Sequence, residues 1–123
     1  MKLTNPKAQI TLERIRKLIK EVAILVDNFP KTTAAFKIAG QIIDSVTSAG
    51  ANFIEAQSAR SKKEFISIIG VALREINETN FWLDIIQDLK LCSIGKAENI
   101  SAEATELAKI FASIIMTSSK SIK

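Results

Sequence analysis

Apolar positions recur at spacings of three and four along almost the whole chain, the period of a helix with one buried face. Ile15, Leu18, Ile19, Val22, Leu25, Val26 and Phe29 trace the first such stripe, which predicts a helix from Ala8 to Asn28. The segment FPK at 29–31 ends it, because proline has no amide donor and disfavours helix in the residue before it. Ala35, Ile38, Ala39, Ile42, Val46, Ala49 and Phe53 form a second stripe, predicting a helix from Thr33 to Gln57. Its middle, SVTSAGA at 45–51, is small or β-branched throughout. Gly50 costs about 1 kcal/mol of helix propensity relative to alanine, which makes sense if another helix crosses closely there.

A third helix starts after Ser61. The tetrapeptide SKKE at 61–64 fits the capping box: the serine hydroxyl accepts from the Glu64 amide and the Glu64 carboxylate reaches back. The pattern then runs to about Lys90. A fourth helix is predicted from near Ser101, a good N-cap residue, with Glu103 in its first turn and Leu107, Ala108, Ile110, Phe111, Ile114 and Ile115 inward. The tail TSSKSIK is expected to fray. The connections are FPKT, SAR and LCSIGKAENI, and the first two are short enough to force antiparallel neighbours. The expected fold is all-α: one domain, an antiparallel up-down-up-down four-helix bundle.

The third helix carries more apolar residues than one face can hold. At about 100° per residue, Phe65, Ile69, Ala72, Ile76, Leu83 and Ile86 share the core side. Val71, Trp82, Ile85 and Leu89 fall on a second side, and Phe81 points almost away from the core. A surface helix with one buried face would not carry them. Either the fourth helix covers them or they form an interface with another copy of the chain.

Composition narrows the picture. Four Gly and two Pro in 123 residues favour long helices over many short strands. A single cysteine excludes an internal disulfide and suits a reducing compartment, and the N-terminus lacks the apolar run of a signal peptide. No apolar run approaches the roughly 20 residues of a membrane span. The expectation is a cytoplasmic protein that does not enter the membrane.

The net charge of +4 is unevenly placed, since residues 1–20 hold six basic side chains and one acidic. Arg14, Arg16, Lys17 and Lys20 on the first helix, and Arg60, Lys62 and Lys63 at the 52–65 elbow NFIEAQSARSKKEF, are the candidate contacts to nucleic acid. The alternative for each group is a solvated helix face. Lys62 and Lys63 sit in a first helical turn, where positive charge opposes the helix dipole by a few tenths of a kcal/mol each. Aromatic residues for base stacking are not interleaved with these charges, so any binding would rest on phosphate contacts and weaken with salt.

Catalytic chemistry finds little to use. The chain has no His and no Tyr, no glycine-rich phosphate loop and no zinc-ligand cluster. Cys92 has no histidine to activate it, and its place near a helix end predicts a raised pKa from the dipole. Glu75 and Glu78 suggest a carboxylate metal site, but a di-iron bundle site needs Glu-x-x-His. They are expected to be paired or solvated, with Arg74–Glu78 and Glu13–Lys17 as i,i+4 ion pairs. No cofactor, no metal and no catalytic residue is assigned.

The run GANFIEAQSARSKKEFISIIGVALREINETNFWL at 50–83 resembles a family of four-helix-bundle proteins first described as products of intervening sequences in large-subunit ribosomal RNA genes. The matching elements are GAN, EAQ, SKKEF, ALRE and ETNFWL, and FP at 29–30 also fits. The resemblance implies an antiparallel bundle assembled as a ring-like homo-oligomer, often a pentamer, with no enzymatic activity. A related group, the accessory variability proteins of diversity-generating retroelements, binds nucleic acid and a reverse transcriptase. Two readings follow. One is a homo-oligomeric scaffold or interaction protein built on Val71, Phe81, Trp82, Ile85 and Leu89, presenting a surface to a protein partner. The other is a nonspecific nucleic-acid-binding accessory protein using the basic residues above.

Overall fold

The computed structural model describes residues 1–121 as four helices. These are α1 (Pro6–Asp27), α2 (Thr33–Ala56), α3 (Lys62–Asp88) and α4 (Ile94–Lys120). Each of α1, α2 and α3 begins at a side-chain cap. Asn5 accepts from the Ala8 amide with Pro6 at the first helical position, Thr32 accepts from Ala35, and Ser61 accepts from Glu64. Proline serves well at that position because its missing N–H is not needed in a first turn. The Glu64 carboxylate does reach back, but to the Arg60 amide at 2.6 Å rather than to the cap residue itself.

The helices form an antiparallel four-helix arrangement in which α1 and α3 each lie against α2 and α4. Ser45 Oγ and Thr79 Oγ1 bond at 2.8 Å and lock α2 against α3. Arg14 of α1 reaches Glu103 of α4, and Lys62 at the start of α3 reaches Ser121 beyond the end of α4. The core is continuous from Leu12 to Leu25 on α1 and from Ala35 to Ala56 on α2; Ile69, Ala72, Ile76, Leu83, Ile86, Ala104, Leu107 and Phe111 complete it. Gly50 has the role its position suggests: a Cβ there would lie 3.2 Å from Ile15 Cγ2 and 3.3 Å from Ile19 Cδ1. The small residue lets α1 approach.

Two expectations about the last helix fail. α4 starts at Ile94, two turns before Ser101. Ala97 and Ile100 extend the buried stripe of Ala104, Leu107 and Phe111, and their burial outweighs Gly95 in the first turn and a Ser93 N-cap without a side-chain bond. Ser101 is an interior residue whose hydroxyl donates to Asn80 Oδ1 at 3.0 Å. Thr117–Lys120, expected to fray, are helical, while the final two residues of that tail lie outside the described region. The true α3–α4 connection is Leu89–Ser93. Lys90 adopts φ 54°, Leu91 N–H donates to the Ile86 carbonyl at 3.1 Å, and Lys90 N–H donates to Gln87 at 3.0 Å. This is a Schellman stop with lysine where glycine is usual.

Candidate interaction surfaces

The outer side of α3 divides into covered and open parts. Trp82 and Ile85 are half-buried and pack against the core, and Val71 is half-buried. Phe81 is 52% exposed and Leu89 49%, and Phe81 meets the Trp82 ring edge-on at 4.9 Å. The indole N–H of Trp82 points to Glu78 Oε2 at 3.4 Å, so Glu78 serves Trp82 and not Arg74. Glu13 likewise accepts from Gln9 rather than from Lys17. Among the described residues the ion pairs are Arg14–Glu103 and Lys109–Glu106.

A second apolar surface lies at the α1–α2 corner, and periodicity alone did not single it out. Phe36 is 78% exposed. With Val26, Phe29, Ala39, Gly40 and Ile43 it lines an open groove of 820 Å³. Phe36 is two residues before Ile38, off the buried stripe, and the same two-face test that marks α3 would have found it. Five of the eight exposed large apolar side chains, Phe36, Ile24, Phe81, Leu89 and Ile94, lie toward the end of the bundle that holds the α1–α2 and α3–α4 turns; Met1, Ile10 and Met116 lie in the other half.

Charge follows the opposite gradient. The half nearer the α2–α3 elbow, residues 1–16, 45–74 and 108–121, carries ten Lys or Arg and three Asp or Glu. The other half, residues 17–44 and 75–107, carries six and ten. Folding thus sorts a modest net charge into a basic end and an acidic end.

The seven basic candidates do not form one patch. Arg14 is held by Glu103 through Nε–Oε1 at 2.9 Å and Nη2–Oε2 at 3.2 Å, and this carboxylate raises the guanidinium pKa further above its usual value. Arg16, Lys17 and Lys20 remain exposed on the outside of α1. Arg60 and Lys63 are exposed at the elbow, where Lys62 Nζ donates to Ser121 Oγ at 2.6 Å.

A hollow of 410 Å³ between α1 and the start of α4 is lined by Leu25, Ile100, Glu21, Lys96 and Cys92, among others. Burial, rather than a helix dipole, is the main cause of the raised Cys92 pKa; the Ala97 amide and Lys96 act against it. A thiol so placed is a poor nucleophile at neutral pH. Among the described residues no group of three or more His, Cys, Asp or Glu is placed to hold a metal, and no helix is long and apolar enough to cross a membrane.

A model of the 23S rRNA-intervening sequence protein family matches residues 7–113. A crystal structure of a protein of unknown function from the S23 ribosomal protein family of Bacteroides thetaiotaomicron superposes with a TM-score of 0.79. The two are 30% identical, and the match covers 85% of this chain and 97% of that one. No match is found among curated proteins.

Proposed function

Because the chain belongs to the 23S rRNA-intervening sequence protein family, a family without an assigned activity, we propose from its surfaces that it is a non-enzymatic interaction protein that assembles with copies of itself through the outer side of α3. The observation that carries this reading is the strip of Phe81, Trp82, Ile85 and Leu89, with two large side chains about half exposed on a helix whose opposite side is fully buried. Exposed apolar patches of this kind mark contact surfaces. The lack of His and Tyr and the subdued Cys92 support a role without catalysis. The protein acts in this reading as a rigid helical unit whose assembly is its function.

Size exclusion with light scattering tests this reading. The wild type is expected at the mass of several chains at both low and high salt, and Trp82→Glu at the mass of one chain. A wild-type protein that elutes as a single chain, or a Trp82→Glu protein that assembles normally, removes the proposal.

A second reading rests on the basic end. With ten basic and three acidic residues there, nucleic acid would be held by phosphate contacts that weaken steeply with salt. Of the candidate cations, Arg16, Arg60, Lys62 and Lys63 are exposed at this end, and Lys17 and Lys20 continue the row along α1 into the other half. Replacing Arg60, Lys62 and Lys63 with Gln should lower affinity for a random-sequence duplex or RNA at low salt. An unchanged affinity, or no binding by the wild type, sets this reading aside. Family membership fits an RNA-linked setting by its name alone.

A further inference from the structure

Between the Arg14–Glu103 pair and the elbow end, the helices leave a hollow of 270 Å³ lined by Phe53, Phe65, Ile110 and Ile114, among others. An open trough of 450 Å³ along α4 shares Lys7, Phe65, Ile110 and Ile114 with it, so the two form one cleft. We infer that this cleft binds a small carboxylate with an apolar chain, its headgroup held by Thr11 and Lys7.

Thr11 carries the argument. It lines the inner part of the cleft and is only 9% exposed. Threonines inside helices commonly bond back one turn, as Thr47 and Thr79 do to the Ile43 and Glu75 carbonyls at 2.7 and 2.9 Å. The Thr11 hydroxyl makes no such bond and has no other partner among the described residues. Yet among these residues every side-chain polar atom shut off from solvent is bonded. The Thr11 hydroxyl therefore opens onto the cleft, where it can donate to an occupant. A nearly buried hydroxyl with an unspent donor is costly unless something polar meets it.

Charge defines what that occupant is. Lys7 stands four residues before Thr11, on the same side of α1 and one turn nearer its start. Its ammonium is in neither ion pair of the described residues. Lys109 lines the trough from α4 and pairs with Glu106 at 3.4 Å, a contact between exposed groups that holds it weakly. No Asp or Glu lines either part of the cleft. One hydroxyl and one ammonium a helical turn apart match the two oxygens of a carboxylate: one accepts from Thr11 Oγ1 and the other pairs with Lys7 Nζ. The start of α1 adds the positive end of its dipole.

The rest of the cleft is apolar. Phe65, Ile110 and Ile114 are half-buried and pack against the core, which gives a chain a wall to lie on. Small-ligand sites span roughly 300–1,000 Å³ and are mostly apolar with a few placed polar groups. The cleft suits the lower part of that range and so a short or medium chain.

Calorimetric titration of the full chain at low salt, with octanoate, octylammonium and octyl phosphate as probes, tests the site. Octanoate is expected to bind once per chain, and octylammonium, with the same chain and the opposite charge, is expected not to bind. Thr11→Val keeps the shape and loses the hydroxyl, and should weaken octanoate about tenfold, the worth of a hydrogen bond to a charged acceptor. Lys7→Gln, at an exposed position, should weaken it several-fold. Both variants should keep the wild-type helical circular dichroism spectrum. In methyl NMR spectra octanoate should shift Ile110 and Ile114 and leave Ile24 and Ile43, at the turn end, in place. No uptake of octanoate, equal uptake of octylammonium, or shifts confined to the turn end overturns the site. Either variant binding octanoate as tightly as wild type overturns the headgroup assignment, and octyl phosphate binding more tightly than octanoate overturns the carboxylate.

Discussion

At the elbow end of the bundle, Phe53 and Phe111 stack inside the core with ring centroids 5.8 Å apart and planes 20° from parallel. At the other end no aromatic ring is fully buried: Phe29 and Trp82 are half-covered, and Phe36 and Phe81 are exposed. Both ends fold on the same helical stripes, yet one stacks two rings inside the core and the other leaves two of its four, Phe36 and Phe81, facing out. The basic residues divide the opposite way. The difference places the stacked, buried ring pair at the elbow end and the exposed rings at the turn end.

The largest effects should separate the two ends. Phe111→Ala empties a fully buried site and should cost about 3–5 kcal/mol, whereas Phe36→Ala should change monomer stability by no more than about 0.5 kcal/mol. Urea unfolding of both variants, compared at the same assembly state, checks the contrast. A large loss from Phe36→Ala would break the comparison. Gly50→Val comes next: the added methyls meet Ile15, a buried β-branched side chain, and overpacking of this kind costs about 1–3 kcal/mol. Its thermal midpoint should fall, since a Cβ 3.2 Å from Ile15 Cγ2 already requires that buried side chain to shift and valine adds two methyls beyond it.

Smaller changes sharpen the picture. Thr79→Val deletes the hydroxyl that bonds both Ser45 and the Glu75 carbonyl, and should lower stability by about 1 kcal/mol. At the turn end, Lys90→Gly relieves a left-handed backbone position and should raise stability by about 1 kcal/mol in the same assay. A loss there would mean that Lys90 makes a contact worth more than its conformational cost. Smallest of all, Arg14→Gln should lower stability by less than about 1 kcal/mol, because its pair with Glu103 is partly solvated.

Periodicity, caps and proline were enough to give four helices, their order, and nearly all of the buried face of α3. Those signals are local: a stripe at three and four, Ser61 three residues before Glu64, Pro30 after Phe29. The close crossing at Gly50 was legible for the same reason, since a glycine inside a helix weakens it unless a neighbour needs the space. The start of α4 was not, because Ser101 has the chemistry of an N-cap while the burial of Ala97 and Ile100 depends on neighbours the local sequence does not name. The ion pairs failed similarly: i,i+4 spacing permits Arg74–Glu78 and Glu13–Lys17, but Glu78 faces Trp82 and Glu13 faces Gln9. Which face of α3 stays open, the groove beside Phe36, and the sorting of charge into two ends were decided by tertiary structure alone. Each depends on residues far apart in the chain meeting at one height of the bundle, and a register between helices is set by packing, not by any one helix's own pattern.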